Sequence, residues 1–277
     1  MVVDGARALE VPPPPVVLEA FGATGRPLPL AGGQRTVWRV GEAVLKPVDA
    51  DAAALEWQAD VLAQLDGQPA FRVAPPLRTG DGRLTMAGWT AWRYEPGEHL
   101  PRRWPDIIAA GNAFHLATAG LAEPPFLRRR TDRWARADRV AWGDSPAAPF
   151  DQLPGLAALF AALQPISAPS QLIHADLTGN VLFSEGLPPL VLDFSPYWRP
   201  APAAAAVVVA DALVFEGADA GILTAVADIA GFGQYLARAL LFRAVTDVLA
   251  RPDSPVFAGY SAAIGLALSL AELRLDG

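Results

Sequence analysis

The 277-residue sequence predicts an α+β protein of two lobes, a small β-rich one followed by a larger helical one. Three observations carry this expectation. Strand-like alternation and turn signals dominate up to about residue 94, and the pattern then breaks at Glu95-Pro-Gly-Glu98. Beyond the break helical periodicity prevails, interrupted once by a turn-rich apolar island from Gln171 to Phe194. The boundaries drawn from this are residues 1–94 for the N-terminal lobe, 95–98 for a hinge and 99–277 for the helical lobe.

Each element has its own justification. The Pro12 to Pro15 run makes residues 1–20 an extended, loosely ordered opening segment. Leu28-Pro-Leu-Ala31 leads into Gly32-Gly33, and residues 36–40 and 43–46 flank a Gly41-Glu42 turn, which reads as a hairpin. Asp49 or Asp51 is placed to cap a helix reaching about Leu65, with Leu55, Ala59, Leu62 and Leu65 as its apolar stripe. Strand-like runs follow at 71–77 and 84–94, around the Thr79-Gly-Asp-Gly turn. Helices are expected at about 104–119, 131–141, 154–164, 204–216, 222–250 with breaks, and 256–272.

Composition narrows the function. Hydrophobic residues make up 52% and charged residues 18%, so the chain buries a core and is not disordered. With no cysteine, a disulfide scaffold, a cysteine zinc site and a cysteine nucleophile are excluded. A net charge of -7 argues against a nucleic-acid partner. The longest apolar stretch, Ala201 to Phe215, holds Pro202 and Asp211 and is too short to span a bilayer, so no membrane partner is expected. Met1-Val-Val-Asp-Gly-Ala-Arg7 lacks the basic and apolar regions of a signal peptide, which points to the cytoplasm. The arginines from Arg128 to Arg139, interspersed with Asp132 and Asp138, read as a solvent-facing helix with local ion pairs.

Two features point to chemistry. Of the 22 basic residues only one, Lys46, is a lysine. A lysine kept in so arginine-rich a chain fits a role for a compact ammonium. The second is the polar cluster His174, Asp176, Asn180 and Asp193 within the apolar island. Singly, Asp and Asn mark turns. Together they form an oxygen-rich site suited to a hard cation such as Mg²⁺. A hairpin pairing 183 with 190, around a loop at 184–189, would set Asn180 opposite Asp193 with Cβ atoms roughly 5 Å apart. His174 is expected to be structural.

The spacing His-x-Asp, then Asn, then a strand ending in Asp-Phe, resembles the catalytic and metal-binding loops of the protein-kinase-like fold. It is most similar to the aminoglycoside phosphotransferase and choline-kinase branch. The resemblance spans roughly residues 25–215 and implies a role for each matching position. Gly32, Gly33 and Arg35 fall at the phosphate-covering turn. Lys46 would hold the nucleotide phosphates and Glu56 would orient it. Arg93, Tyr94 and Glu95 fall at the hinge that receives adenine. Asn180 and Asp193 would bind Mg²⁺, and Asp176 would be the catalytic residue facing the acceptor. Asp211 opens a helical run where the fold anchors its catalytic loop.

Three departures stand out, the first that Asp193 is followed by Phe-Ser-Pro rather than Phe-Gly. Asp176 and Asn180 are separated by three residues, Leu177-Thr-Gly179, where the kinase pattern has four. Thr178 stands where many kinases place a basic residue, leaving charge neutralisation to the metal, Lys46 and Arg35 or Arg199. The activity implied is transfer of the γ-phosphoryl group of ATP to a hydroxyl of a small molecule. The short Pro/Ala-rich span from Asp193 to Asp211 leaves no room for a long activation segment, which favours a small acceptor over a protein. Glu216, Asp219 and Asp228 are candidate acids for a cationic acceptor. The alternatives are a non-catalytic nucleotide-binding pseudokinase and a nucleotidyl transferase acting on a protein.

Overall fold

The computed structural model describes residues 11–30 and 37–272. The chain divides into two compact units, residues 1–98 with 183–192, and residues 99–182 with 193–277. Gly32, Gly33 and Arg35 lie outside the described residues.

The first unit opens with helix α1 (Pro15–Ala20), where an extended segment was expected. Pro at the first helical position is pre-organised for a helix and lacks only an amide that would be unpaired anyway. Val17 and Phe21 then pack on Val40, Ala43, Leu45 and Ala91. The strands that follow are β1 (Leu28–Pro29), β2 (Trp38–Val40) and β3 (Ala43–Pro47). β2 and β3 pair Trp38↔Leu45, Arg39↔Val44 and Val40↔Ala43 around the Gly41-Glu42 turn. Gly41 has φ +58, and a Cβ there would meet the Thr24 carbonyl oxygen at 2.6 Å, so only glycine fits.

Helix α2 (Ala52–Leu65) is capped by Asp51, whose carboxylate accepts from Ala54 N–H at 2.8 Å. All four residues of its expected stripe are buried. The run at 71–77 breaks into β4 (Arg72–Val73) and β5 (Pro76–Leu77). Pro75 and Pro76 cannot donate ladder hydrogen bonds, so the segment changes sheet there. β6 (Thr85–Met86) and β7 (Trp89–Arg93) complete an antiparallel sheet ordered β1-β2-β3-β7-β5, with β6 also on β7.

The second unit carries α3 (Trp104–Thr118), α4 (Phe126–Arg129), α5 (Arg133–Trp142) and the short α6 (Ala157–Ala161). The polar island supplies β8 (Gln171–His174), β9 (Val181–Ser184) and β10 (Leu187–Val191). β11 (Pro196–Arg199) follows, unforeseen because Pro196 disfavours a strand. Three helices complete the chain, α7 (Pro202–Phe215), α8 (Phe232–Ala250) and α9 (Tyr260–Glu272). α8 packs against α5, α7 and α9 and is buried on most of its faces. Among the described residues no helix is long and apolar enough to cross a membrane.

The hairpin of the island differs from the sequence expectation. β9 and β10 are joined by only two residues, Glu185 and Gly186, with Gly186 at φ +71. A glycine in the left-handed region permits the tight turn, so the six-residue loop at 184–189 does not form. The register that set Asn180 opposite Asp193 falls with it. β10 still pairs with β9 on one side and pairs in parallel with β4 on the other, Leu190 with Arg72 and Val191 with Val73, which draws 183–192 into the first unit.

Candidate functional site

The second unit builds the core of the site on one two-stranded ladder. β8 and β11 are antiparallel, His174 opposite Pro196 and Ile173 opposite Tyr197. Ala175 N–H continues the pairing by donating to Ser195 O at 3.2 Å. This ladder, rather than the expected hairpin, brings the segment after Asp193 alongside the loop that carries Asp176. Phe194, buried, sets its ring 5.6 Å from that of His174 and 4.9 Å from Phe114. Asp193 itself has φ +44. Aspartate tolerates the left-handed region better than most residues, yet it pays a local strain there that is characteristic of functional loops.

The loop after β8 is held from below. His174 N–H donates to His115 Nε2 at 3.0 Å, and His174 Nδ1 accepts from Asp176 N–H at 3.2 Å. The first bond requires His115 to be neutral. Burial, and after it the electrostatic influence of the neighbouring His174 ring, lowers the His115 pKa to about 3. Gly111 of α3 lets Leu177 settle against the helix, because a β-carbon at that position would overlap Leu177 Cδ1. The shortened loop closes as a turn, with Gly179 at φ +79 and Asn180 N–H donating to Leu177 O at 2.9 Å. Asn180 Nδ2 donates to Asp176 O at 2.8 Å, which leaves its amide oxygen as the donor atom for a cation.

Asp176 is the exposed end of a charge network that the sequence did not reveal. Its Oδ1 accepts from Arg243 Nη2 at 2.7 Å. The same guanidinium binds Asp211 through Nε–H to Oδ1 at 2.8 Å and through Nη2 to Oδ2 at 2.6 Å. Asp211 lies inside α7, not at its start as expected, and is buried. Burial pushes its carboxyl above the usual range against the pull of Arg243. For Arg243, burial opposes the charge and the two carboxylates outweigh it, so its pKa rises. Arg243 thus supplies the cation beside Asp176 that Thr178 does not. It is 67 residues downstream, and its signal was a lone arginine inside Leu-Leu-Phe-Arg-Ala-Val, where a buried charge demands a partner.

Asp176, Thr178 and Arg243 face an open pocket of about 340 Å³ formed within the helical unit, with Trp134, Phe215 and Tyr260 on its walls. Of the three acids proposed for a cationic acceptor, Glu216 lines this pocket and accepts from Trp104 Nε1–H. Asp219 accepts instead from Gly221 N–H at 2.8 Å, and Asp228 is simply exposed.

The remaining candidates are distributed as follows. Lys46, on β3, pairs with Asp49 at 3.1 Å and lies 5.3 Å from the centre of the Trp92 ring. Glu56, expected to orient it, carries its carboxylate to Arg78 at 2.7 Å, which lowers the Glu56 pKa. The physical reason is that Arg78 reaches the exposed face of α2 with a two-bond fork. Arg93 forks onto Asp66, both bonds at 2.7 Å, and also binds Glu95. Glu95 in turn pairs with Arg72 at 2.9 Å. The amides of Arg93 and Tyr94 donate to Pro75 O and Glu42 O, so these residues are held by their own sheet. Arg199, considered for charge neutralisation, is instead committed to Asp138 at 2.7 Å and Asp144 at 2.6 Å. The arginine-rich segment is ion-paired locally at Arg128 to Glu123 and Arg130 to Asp132 at 2.9 Å, but it is not one solvent-facing helix: α5 buries Ala135, Ala137, Val140 and Ala141, and Asp138 pairs with the distant Arg199. Among the described residues no group of three or more His, Asp or Glu forms a metal centre by itself.

The model of the phosphotransferase enzyme family matches residues 24–241. The chain is similar in structure to an aminoglycoside phosphotransferase from Alicyclobacillus acidocaldarius, at 16% identity and a TM-score of 0.62, over 98% of this chain and 97% of that one. A thermostable mutant of aminoglycoside phosphotransferase APH(4)-Ia, in ternary complex with ADP and hygromycin B, matches with a TM-score of 0.61 at 16% identity, over 94% and 97% of the two chains. A choline/ethanolamine kinase family protein from Mesorhizobium loti matches with a TM-score of 0.52 at 21% identity, over 92% and 90%. No curated protein matches the sequence. These likenesses establish the protein-kinase-like α+β fold.

Proposed function

The chain belongs to the phosphotransferase enzyme family, and from that premise we propose that it transfers the γ-phosphoryl group of ATP to a hydroxyl of a small molecule. One observation carries the reading. Asp176 stands at the edge of an open pocket with Oδ1 held at 2.7 Å by Arg243 and its backbone held by His174. Among the described residues its Oδ2 has only a long 3.4 Å approach from Asn180 Nδ2, so it is the oxygen left to accept the acceptor's hydroxyl proton.

In this reading Lys46 clamps the phosphates as a compact cation. Gly32, Gly33 and Arg35 cover them, and the backbone at Arg93, Tyr94 and Glu95 receives the adenine. Glu56 acts on α2 through Arg78 rather than on Lys46. The amide oxygen of Asn180 and the carboxylate of Asp193 are hard donors that fit Mg²⁺, which takes few protein ligands when phosphates supply the rest. Bound there, the ion would neutralise charge on the phosphate oxygens. Phosphoryl transfer needs little more than this positioning and charge balance, which suits a site without a nucleophile. A cytoplasmic location would supply the ATP that this reading requires.

The test is a metabolite-library phosphorylation screen with Mg·ATP, scored by mass shift, beside calorimetric titration of ATP into the parent, Lys46→Ala and Asp193→Ala. Losing Lys46 is expected to weaken binding by about 1.5–3 kcal/mol, the worth of a charge-assisted contact. Asp193→Ala is expected to erase the Mg²⁺-dependent part of the affinity. A parent that binds Mg·ATP and modifies no member of a broad library would be a nucleotide-binding module instead.

A further inference from the structure

We infer that Arg243 is the positioning residue of Asp176, a guanidinium locked in place by Asp211 so that one oxygen of the catalytic carboxylate is held and the other is presented to the acceptor. The inference rests on the reading of Asp176 given above.

The geometry separates an anchoring job from a presenting job. Arg243 is 14% exposed and Asp211 7%, so these two charges neutralise each other inside the helical unit. Nε and Nη2 of the guanidinium are both directed at Asp211, at 2.8 and 2.6 Å. A fork bound at two points has no rotational freedom left. Its further bond from Nη2 to Asp176 Oδ1, at 2.7 Å, therefore fixes Asp176 without ordering another flexible side chain. Asp176 is the accessible member, 43% exposed at the pocket. Without Arg243 the loop would bring two carboxylates together across the space the guanidinium now fills, and Asp176 would turn outward. With it, the carboxylate plane is set from the protein side.

Helix identity supports the division. Asp211 is on α7 and Arg243 on α8, two helices packed against each other, whereas Asp176 is on the loop after β8. Two rigid elements thus set the position of a side chain on a less rigid one. This is the arrangement in which a misplacement of about 1 Å costs on the order of 100-fold in rate.

The experiment is a mutant cycle on the full chain, with hydrolysis of Mg·ATP to water as the probe reaction and Mg·ADP affinity measured by calorimetry. Arg243→Met combined with Asp211→Asn removes the buried pair without leaving an uncompensated charge. This double change is expected to lower kcat about 100-fold while the Mg·ADP dissociation constant stays within about twofold. In an Asp176→Asn background the same pair of changes is expected to alter kcat by less than about twofold, because the residue it positions is already disabled. Arg243→Lys, which retains the cation and the fold but not the fork, is expected to lower kcat at least about tenfold. The inference is overturned if Asp176→Asn lowers kcat and either Arg243 variant retains the parental value. It is equally overturned if the pair costs as much in the Asp176→Asn background as in the parent, since the loss would then be structural. If Asp176→Asn itself leaves kcat unchanged, the assignment of Asp176 fails first and takes the role of Arg243 with it.

Discussion

Two arginines of the helical unit do the same thing in different surroundings. Arg243 joins buried Asp211 to more exposed Asp176, and Arg199 joins Asp138 to more exposed Asp144. In each case the guanidinium is 14% exposed; the bonds of Arg243 run from 2.6 to 2.8 Å and those of Arg199 from 2.6 to 3.1 Å. What differs is the adjoining space. The Arg243 cluster opens on about 340 Å³ of pocket. Arg199, with Asp138 and Trp142, lines a small, partly open cavity of about 20 Å³, room for one water at most. Pair chemistry alone therefore does not mark a reactive site. A buried arginine with two acids stiffens the fold wherever it occurs, and it becomes relevant to catalysis only where one acid faces a volume a substrate can enter.

The sharpest way to break this comparison is at the exposed acids. Asp176→Asn keeps the shape and removes the charge, and it is expected to lower turnover about 10²–10⁴-fold with nucleotide affinity retained. Steady-state kinetics beside calorimetry decides it, and a loss of nucleotide affinity matching the loss of turnover would place Asp176 in the metal site instead.

The opposite pattern is expected for Arg199→Met. Burial already raises the Asp138 pKa against the pull of Arg199. Removing the arginine leaves an unpaired buried acid, with an expected loss of about 3–5 kcal/mol in denaturant unfolding. Turnover per folded molecule should not change. A variant that is fully folded yet slow would dissolve the distinction between the two clusters.

A smaller effect sharpens the comparison from beneath the Asp176 loop, through pH. His115 is neutral in the fold, its pKa lowered from 6.5 to about 3 by burial and by His174. Between those values the unfolded chain takes up a proton that the folded chain does not. Stability is thus fully present above pH 6.5 and declines as the pH falls toward 3. His115→Gln offers His174 N–H an acceptor that does not titrate. From pH 7 to pH 5 the parent is expected to lose about 2 kcal/mol more than this variant. Urea unfolding at the two values measures it, and equal losses would mean that His115 takes up its proton as readily in the fold as in the unfolded chain.

The smallest expected change is Asp144→Asn. Asp144 is 53% exposed, and its pair with Arg199 faces solvent. The cost should stay below about 1 kcal/mol and vanish at high salt. A thermal melt at low and high ionic strength suffices, and a salt-independent loss of several degrees would show the Arg199 cluster to be more closed than its surface suggests.

Sequence alone determined what short-range chemistry controls. Asp51 caps α2 because its carboxylate reaches an amide three residues ahead. Gly41 turns the β2–β3 hairpin because glycine takes its φ of +58 without steric cost. His174, Asp176 and Asn180 meet because hydrogen bonds across two and four residues close their loop. Periodicity likewise marked the stripe Leu55, Ala59, Leu62 and Leu65 before any partner was known. Tertiary structure decided the rest, because it concerned which distant group wins a charge. Glu56 could serve Lys46 or Arg78, and the fold carries it to Arg78. Arg199 could neutralise phosphate or structural acids, and the fold buries it with Asp138. Asp176 lacks a cation in its own loop and acquires one from α8, 67 residues on. No local pattern encodes these choices. An ion pair forms where two helices happen to bury its members together, and its strength depends on that burial rather than on the spacing of residues along the chain.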